Sequence, residues 1–169
     1  RTAGAVAAAV VGGAEYDVPG RARAAGTSRG GQAVNEALVI DFTRHLDRII
    51  AIDPAARRAT VQPGVVLDDL NAALRPHALQ FGPDPASSDR STLGGAVANN
   101  PTGRHSLVYG MTADHVRAMD VVLADGSPLT LSTSTDRSGN NIRVVSGIHQ
   151  LVADPANCQI IREGTPQYW

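Results

Sequence analysis

A chain of 169 residues with 43% hydrophobic and 18% charged residues has room for one core, enough to bury roughly 70% of its unfolded surface without staples. Its formal net charge of −1, with 15 basic residues that are all arginine, excludes a charge-driven binder of nucleic acid or of a membrane surface. One cysteine, Cys158, excludes an internal disulfide framework and a four-thiolate zinc or iron–sulfur site within this segment, and no apolar run approaches the ~20 residues that span a bilayer.

No charged stretch followed by an apolar run opens the chain, so no secretory signal is read and a cytoplasmic location is expected. Residues 2–14 are alanine-rich and predict a helix, stopped by Tyr16-Asp17-Val18-Pro19. Residues 21–24 predict a short strand, followed by the small-residue segment Ala25-Gly26-Thr27-Ser28-Arg29-Gly30-Gly31. Strands are expected at residues 37–41, 49–53 and 60–62, the first two joined by the polar Thr43-Arg44-His45. Val66, Leu67, Leu70 and Leu74 stand at helical spacing, with Pro76 beyond them. Leu79-Gln80-Phe81 predicts a brief strand before the stiff Gly82-Pro83-Asp84-Pro85 loop, and residues 93–98 a short helix. Residues 116–123 form the clearest strand pattern, and Asp125-Gly126 before Leu129-Thr130-Leu131 signals a hairpin. Residues 132–141 read as a polar linker, and residues 142–161 as weakly helical with a break at Pro155. The class is α+β, with no internal repeat.

Two segments could carry chemistry. The first glycine loop is not a triphosphate loop, because no Gly-Lys-Ser/Thr follows, and too few residues separate Gly31 from the next strand for a dinucleotide-binding helix. A strand–loop–strand of Gly, Ser and Thr can still bind an anion through converging backbone N–H groups, or be an ordinary turn. The second segment, residues 83–110, is a long run of small polar residues, and runs of this length without regular structure are uncommon unless functional. There Gly94-Gly95 at a helix start are expected to offer N–H donors to an anion. His45, His77, His105, His115 and His149 show no metal-ligand spacing, no Gly-x-Ser-x-Gly frames a serine, and Cys158 reads as a buried or inert thiol. Neither a metal site nor a catalytic base is assigned.

Six stretches then occur in one order: Arg23 through Gln32, Val61-Gln62-Pro63-Gly64 through Asn71, Pro83-Asp84-Pro85-Ala86-Ser87-Ser88, Thr92-Leu93-Gly94-Gly95 with Asn99-Asn100, Ser106-Leu107-Val108-Tyr109-Gly110, and Val121 through Gly126. Together they resemble the FAD-binding domain of the vanillyl-alcohol oxidase/p-cresol methylhydroxylase superfamily, on the branch of glycolate, D-lactate and D-2-hydroxyglutarate dehydrogenases. The resemblance implies two lobes, a small one of parallel strands with helices and a larger antiparallel sheet, truncated here at both ends. Residues 1–65 would be the first lobe, 66–131 the second, and 132–169 a linker with weak helices. It assigns cofactor contacts to Ala25, Gly26, Thr27, Ser28, Gly30, Gly31 and Gln32 in the first loop, and to Pro63 and Gly64. Further contacts fall to Asp84, Pro85, Ser88, Thr92, Gly94, Gly95, Asn99, Asn100, Gly103, Ser106, Tyr109 and Gly110.

The implied function is the FAD-holding part of an oxidoreductase that takes a hydride from a small 2-hydroxy acid and passes electrons to a quinone, cytochrome or iron–sulfur acceptor. Any iron–sulfur cluster and the catalytic base would lie outside this segment, which is not expected to turn over substrate alone. Peripheral association with the inner membrane is compatible with that reading. Ala24 stands where the family usually has glycine, and Pro101-Thr102 where it has Ser-Ser or Ser-Cys. Thr27 stands where members with tethered flavin carry histidine, which favours dissociable FAD. The alternative is a non-catalytic nucleotide- or anion-binding module that kept the loops and lost the flavin.

Overall fold

The computed structural model describes residues 2–133 and 140–164. Helix α1 (Ala3–Glu15) is built from alanine and valine, and Thr2 caps it, its Oγ1 accepting the Ala5 N–H at 3.3 Å. Asp17, at φ 54°, turns the chain back, and the Val18 N–H reaches the Gly13 carbonyl at 2.8 Å. Strand β1 (Gly20–Arg23) follows and runs parallel to β2 (Leu38–Asp41), with Gly20 opposite Leu38 and Arg23 opposite Asp41. Parallel strands are usually connected by a helix. Here the crossover, residues 24–37, is the glycine loop itself.

Strands β3 (Ile49–Asp53) and β4 (Arg58–Val61) pair antiparallel through a turn in which Arg57 takes φ 53°. Helix α2 (Leu67–Leu74) buries Leu67, Leu70 and Leu74 along one face, and Asp68 and Asp69 sit in its first turn, where the helix dipole favours them. Val65, Leu70 and Leu74 form a core against Ile49, Ile52, Val61, Leu79, Phe81 and Leu93. Leu67 has no exposed surface. Leu67→Ala should therefore cost about 2–5 kcal/mol, read as a lower denaturant midpoint at unchanged slope.

Three short helices complete this region: α3 (Leu93–Asn99), α4 (Ser106–Tyr109) and α5 (Thr112–His115). All belong to one compact unit of residues 1–116 and 122–127. Val65, at the expected lobe border, lies inside the core of that unit. A second unit comprises residues 117–121 and 128–169. Its strand β5 (Ala118–Val122) pairs with β6 (Pro128–Ser132), and the Thr130 hydroxyl donates to Asp120 Oδ1 at 2.7 Å. Helices α6 (Asn140–Ala153) and α7 (Pro155–Gly164) meet at Asp154, as the proline break required.

The class is α+β, with three two-stranded sheets among the described residues, β1–β2 parallel and β3–β4 antiparallel. Leu79-Gln80-Phe81 is not a strand. Ala78 takes a left-handed conformation after a 3₁₀ turn (Arg75–His77), and the Phe81 N–H donates to Asn71 Oδ1 at 2.8 Å rather than to a neighbouring strand. Leu79 and Phe81 are apolar because they pack on the core. The strand expected at 116–123 is shorter because Val116 ends α5. The expected polar linker falls largely on residues 134–139, outside the described residues, and Asn140 and Asn141 already belong to α6. No described helix is long and apolar enough to cross a membrane.

Candidate functional site

The first glycine loop leaves the C-terminal end of β1, the end of parallel strands at which ligands gather in open α/β sheets. Gly26 and Gly31 take φ 71° and 85°, conformations that side chains rarely adopt. A β-carbon at Gly31 would meet nothing within 4 Å, so the loop is open there. Thr27, Gly30, Gly31 and Gln32 are exposed, and Ala25 and Ser28 are half-buried. This leaves hydroxyl, amide and backbone N–H donors facing outward, with no carboxylate among them.

Two contacts join this loop to α3. A β-carbon at Gly95 would stand 2.9 Å from that of Ala24, and Asn99 Nδ2 donates to Ser28 Oγ at 3.1 Å across 71 residues of sequence. Gly95 and Asn99 are four apart, on one face of the helix and separated by about 6 Å along its axis. An extended run from Ala24 to Ser28 would cover about 13 Å, so the turn at Gly26 is what lets both ends of the run meet the same helix face.

The start of α3 differs from the sequence expectation. The Leu93 and Gly94 N–H groups donate to the carbonyls of Val65 and Pro63, each at 2.8 Å, so Gly94 offers no free donor to an anion. A β-carbon at Gly94 would lie 2.6 Å from that of Pro63 and 2.9 Å from its carbonyl oxygen. Glycine is needed here for close packing. Gly64 is likewise structural: its N–H donates to the Leu46 carbonyl at 2.7 Å, and a β-carbon would strike the Phe42 and Leu46 carbonyls.

The remaining predicted residues form a second group around residues 82–85 and 103–110. Asp84 takes φ 47°, Pro85 is buried, and a β-carbon at Gly103 would collide with the carbonyls of Pro83 and Asp84. The Asp84 carboxylate faces Arg104 Nε at 3.8 Å and His105 Nδ1 at 3.7 Å. Ser106 Oγ accepts the Gly103 N–H at 2.8 Å, and the Gly110 N–H donates to the Ser106 carbonyl. Tyr109 is exposed, its ring edge-on to His105 and its carbonyl 2.8 Å from His115 Nε2. Asn100 is spent internally. Its Oδ1 accepts the Ala113 N–H at 2.9 Å and its Nδ2 lies 3.8 Å from Met111 Sδ, which ties α3 to α5. Ser88 is half-buried, and its carbonyl accepts the Asp68 N–H. The hydroxyls of Thr92 and Thr112, on residues 2% and 1% exposed, find no hydrogen-bond partner among the described residues.

The hydroxyl and N–H of Thr43 donate to Asp41 Oδ1 at 2.7 and 2.8 Å and hold that carboxyl below its ordinary 3.8, with smaller attraction from Arg23 and Arg44. The resulting stabilisation is present above the ordinary carboxylate value and is lost as pH falls through the lowered one. Among the described residues, no group of three or more His, Cys, Asp or Glu could hold a metal ion. The Cys158 thiol is half-buried and donates to the Val152 carbonyl at 2.6 Å.

The first loop, with Ser28 and Asn99 bridged and Gly31 open, suits a phosphorylated polyol: hydroxyl and amide donors with the exposed Arg29 among them, and room for close approach. Ala24, Arg23 and Thr112 were not among the residues singled out for contacts. Only the position of Arg23 and Ala24 directly before the glycines signalled them.

Residues 1–132 match the family described as FAD binding domain. D-2-hydroxyglutarate dehydrogenase of Escherichia coli K12 is 37% identical over 136 residues, covering 76% of this chain and 13% of that protein. Glycolate oxidase subunit GlcD of Bacillus subtilis is 39% identical over 113 residues, covering 66% of this chain and 24% of the relative. The solved structure of xylooligosaccharide oxidase from Myceliophthora thermophila C1 superposes with a TM-score of 0.67 at 27% identity, covering 83% of this chain and 29% of that one. The chain thus spans about a tenth to a quarter of the length of the curated relatives it matches.

Proposed function

This chain belongs to the FAD-binding domain family, and on that premise we propose that it holds the diphosphate and ribityl parts of FAD within an oxidoreductase acting on a small 2-hydroxy acid. The observation that carries the reading is the pair of contacts, Ala24 with Gly95 and Ser28 with Asn99, that makes one face of two glycine segments far apart in sequence. Bound FAD supplies the hydride-accepting chemistry, and the protein's part here is to bind and orient it.

Each group has a distinct task. Backbone N–H groups around Gly26 and Gly31, with the hydroxyls of Thr27 and Ser28, donate to phosphate oxygens. In the Ser28–Asn99 pair the serine oxygen accepts, so its own O–H remains free to donate outward. Gly64, Gly94, Gly103, Ser106 and Asn100 act behind this surface, fixing the segments that carry it. The catalytic base and the acceptor contacts, for a quinone, cytochrome or iron–sulfur centre, belong to other parts of the protein. D-2-hydroxyglutarate, glycolate and D-lactate are the substrates to try, and a match would bleach the oxidised flavin spectrum under anaerobic conditions.

Thr27 offers a hydroxyl where a tether would need a more nucleophilic side chain, so the cofactor is dissociable. Acid precipitation of the complete protein should release its flavin into the supernatant, with the mass of FAD. Flavin remaining with the pellet overturns the dissociable reading, and protein purified without any flavin overturns the assignment itself.

A further inference from the structure

Arg23 ends β1, stands opposite Asp41 on β2, and enters the first glycine loop directly. Its guanidinium folds back over that loop: a β-carbon at Gly26 would lie 3.0 Å from Nη2 and 3.3 Å from Nε. The missing side chain at Gly26 is thus what gives the guanidinium its place. Among the described residues no carboxylate lies within ion-pair distance of it; the pairs found join Arg90 with Asp89, and Arg104 and His105 with Asp84. Asp41, its neighbour across the strands, receives two hydrogen bonds from Thr43.

A diphosphate brings two negative charges to a loop whose other outward donors are neutral except for the exposed Arg29, three residues beyond Gly26. The chain contains no lysine, so any side-chain compensation must come from arginine. A planar guanidinium presents its donors as a fork that matches two phosphate oxygens. We infer that Arg23 is the counter-charge for the cofactor's diphosphate, reaching a phosphate oxygen from its position over Gly26. This rests on the FAD reading above and adds to it a binding residue that acts through charge.

The test uses the complete protein stripped of flavin and titrated with FAD and with ADP at low and high salt. Four proteins are compared: wild type, Arg23→Gln, Arg23→Lys, and Arg58→Gln as a charge-matched change in β4. Arg23→Gln should weaken FAD and ADP in parallel by about 10- to 100-fold, the loss expected for one charge-assisted hydrogen bond. Its binding should also depend less on salt than that of wild type, because a screened attraction has been removed. Arg23→Lys should lose less, Arg58→Gln nothing, and the flavin-free melting temperatures should agree. Arg23→Gln binding both ligands as wild type does would sink the inference. So would weaker FAD binding with a lowered melting temperature and an unchanged salt dependence, the pattern of a purely structural partner for Asp41. Wild-type protein that takes up no FAD fails the functional reading itself, and this inference with it.

Discussion

Gly95→Ala should strip flavin from the complete protein, and adding Ala24→Gly should restore it. The added β-carbon would stand 2.9 Å from the Ala24 methyl, closer than two carbons can rest. Neither atom can rotate away, since both are fixed by their backbones, so the loop and α3 must separate. Overpacking of this kind costs about 1–3 kcal/mol. The cost falls on the surface where Asn99 holds Ser28, four residues further along both segments. Removing the Ala24 methyl reopens the space at an entropic cost of about 0.5–1 kcal/mol. The checking measurement is a double-mutant cycle in both FAD affinity and thermal stability, with an expected coupling of about 1–3 kcal/mol. Additive effects would mean that the two residues do not meet and that the joined face does not exist.

Gly103→Ala should be the most damaging single methyl in the described structure. Its β-carbon would collide with the backbone carbonyls of Pro83 and Asp84, and neither can yield. Pro83 is fully buried, and Asp84 already sits at φ 47°, between two prolines. The same junction carries the Gly103 N–H to Ser106 Oγ and the Arg104 N–H to the Asp84 carbonyl, which the displacement would break. A loss of about 3–5 kcal/mol is expected, seen as a fall in melting temperature together with loss of flavin. Gly147→Ala provides the contrast. A β-carbon there meets nothing within 4 Å, and alanine is the better helix former by about 1 kcal/mol, so stability should hold or rise. Equal tolerance at both positions would contradict the close backbone packing described at residue 103.

Much was legible in the sequence because it depends on residues within a turn of one another. Alanine content and Thr2 set α1; the spacing of Leu67, Leu70 and Leu74 set the buried face of α2; Pro155 separated α6 from α7. The ordered glycine segments were enough to mark both halves of the candidate site and its family. What each glycine does was not legible, because that depends on which backbone arrives from elsewhere. Gly94 reads locally as an anion donor and is in fact the seat of Pro63. Leu79-Gln80-Phe81 has strand composition, but with no partner strand its apolar residues serve the core and its backbone serves Asn71. Asn99 and Asn100 are chemically identical neighbours. Only the folded chain separates them: Asn99 ends α3 on the face that meets Ser28, while Asn100, at φ 46°, is carried round to Met111 and Ala113. Composition and spacing determined which segments form helices, turns and open glycine loops. Packing across tens of residues decided which polar groups are spent holding the frame and which remain to meet a ligand, since a hydrogen-bonding group is free only when no other part of the chain has been brought within reach of it.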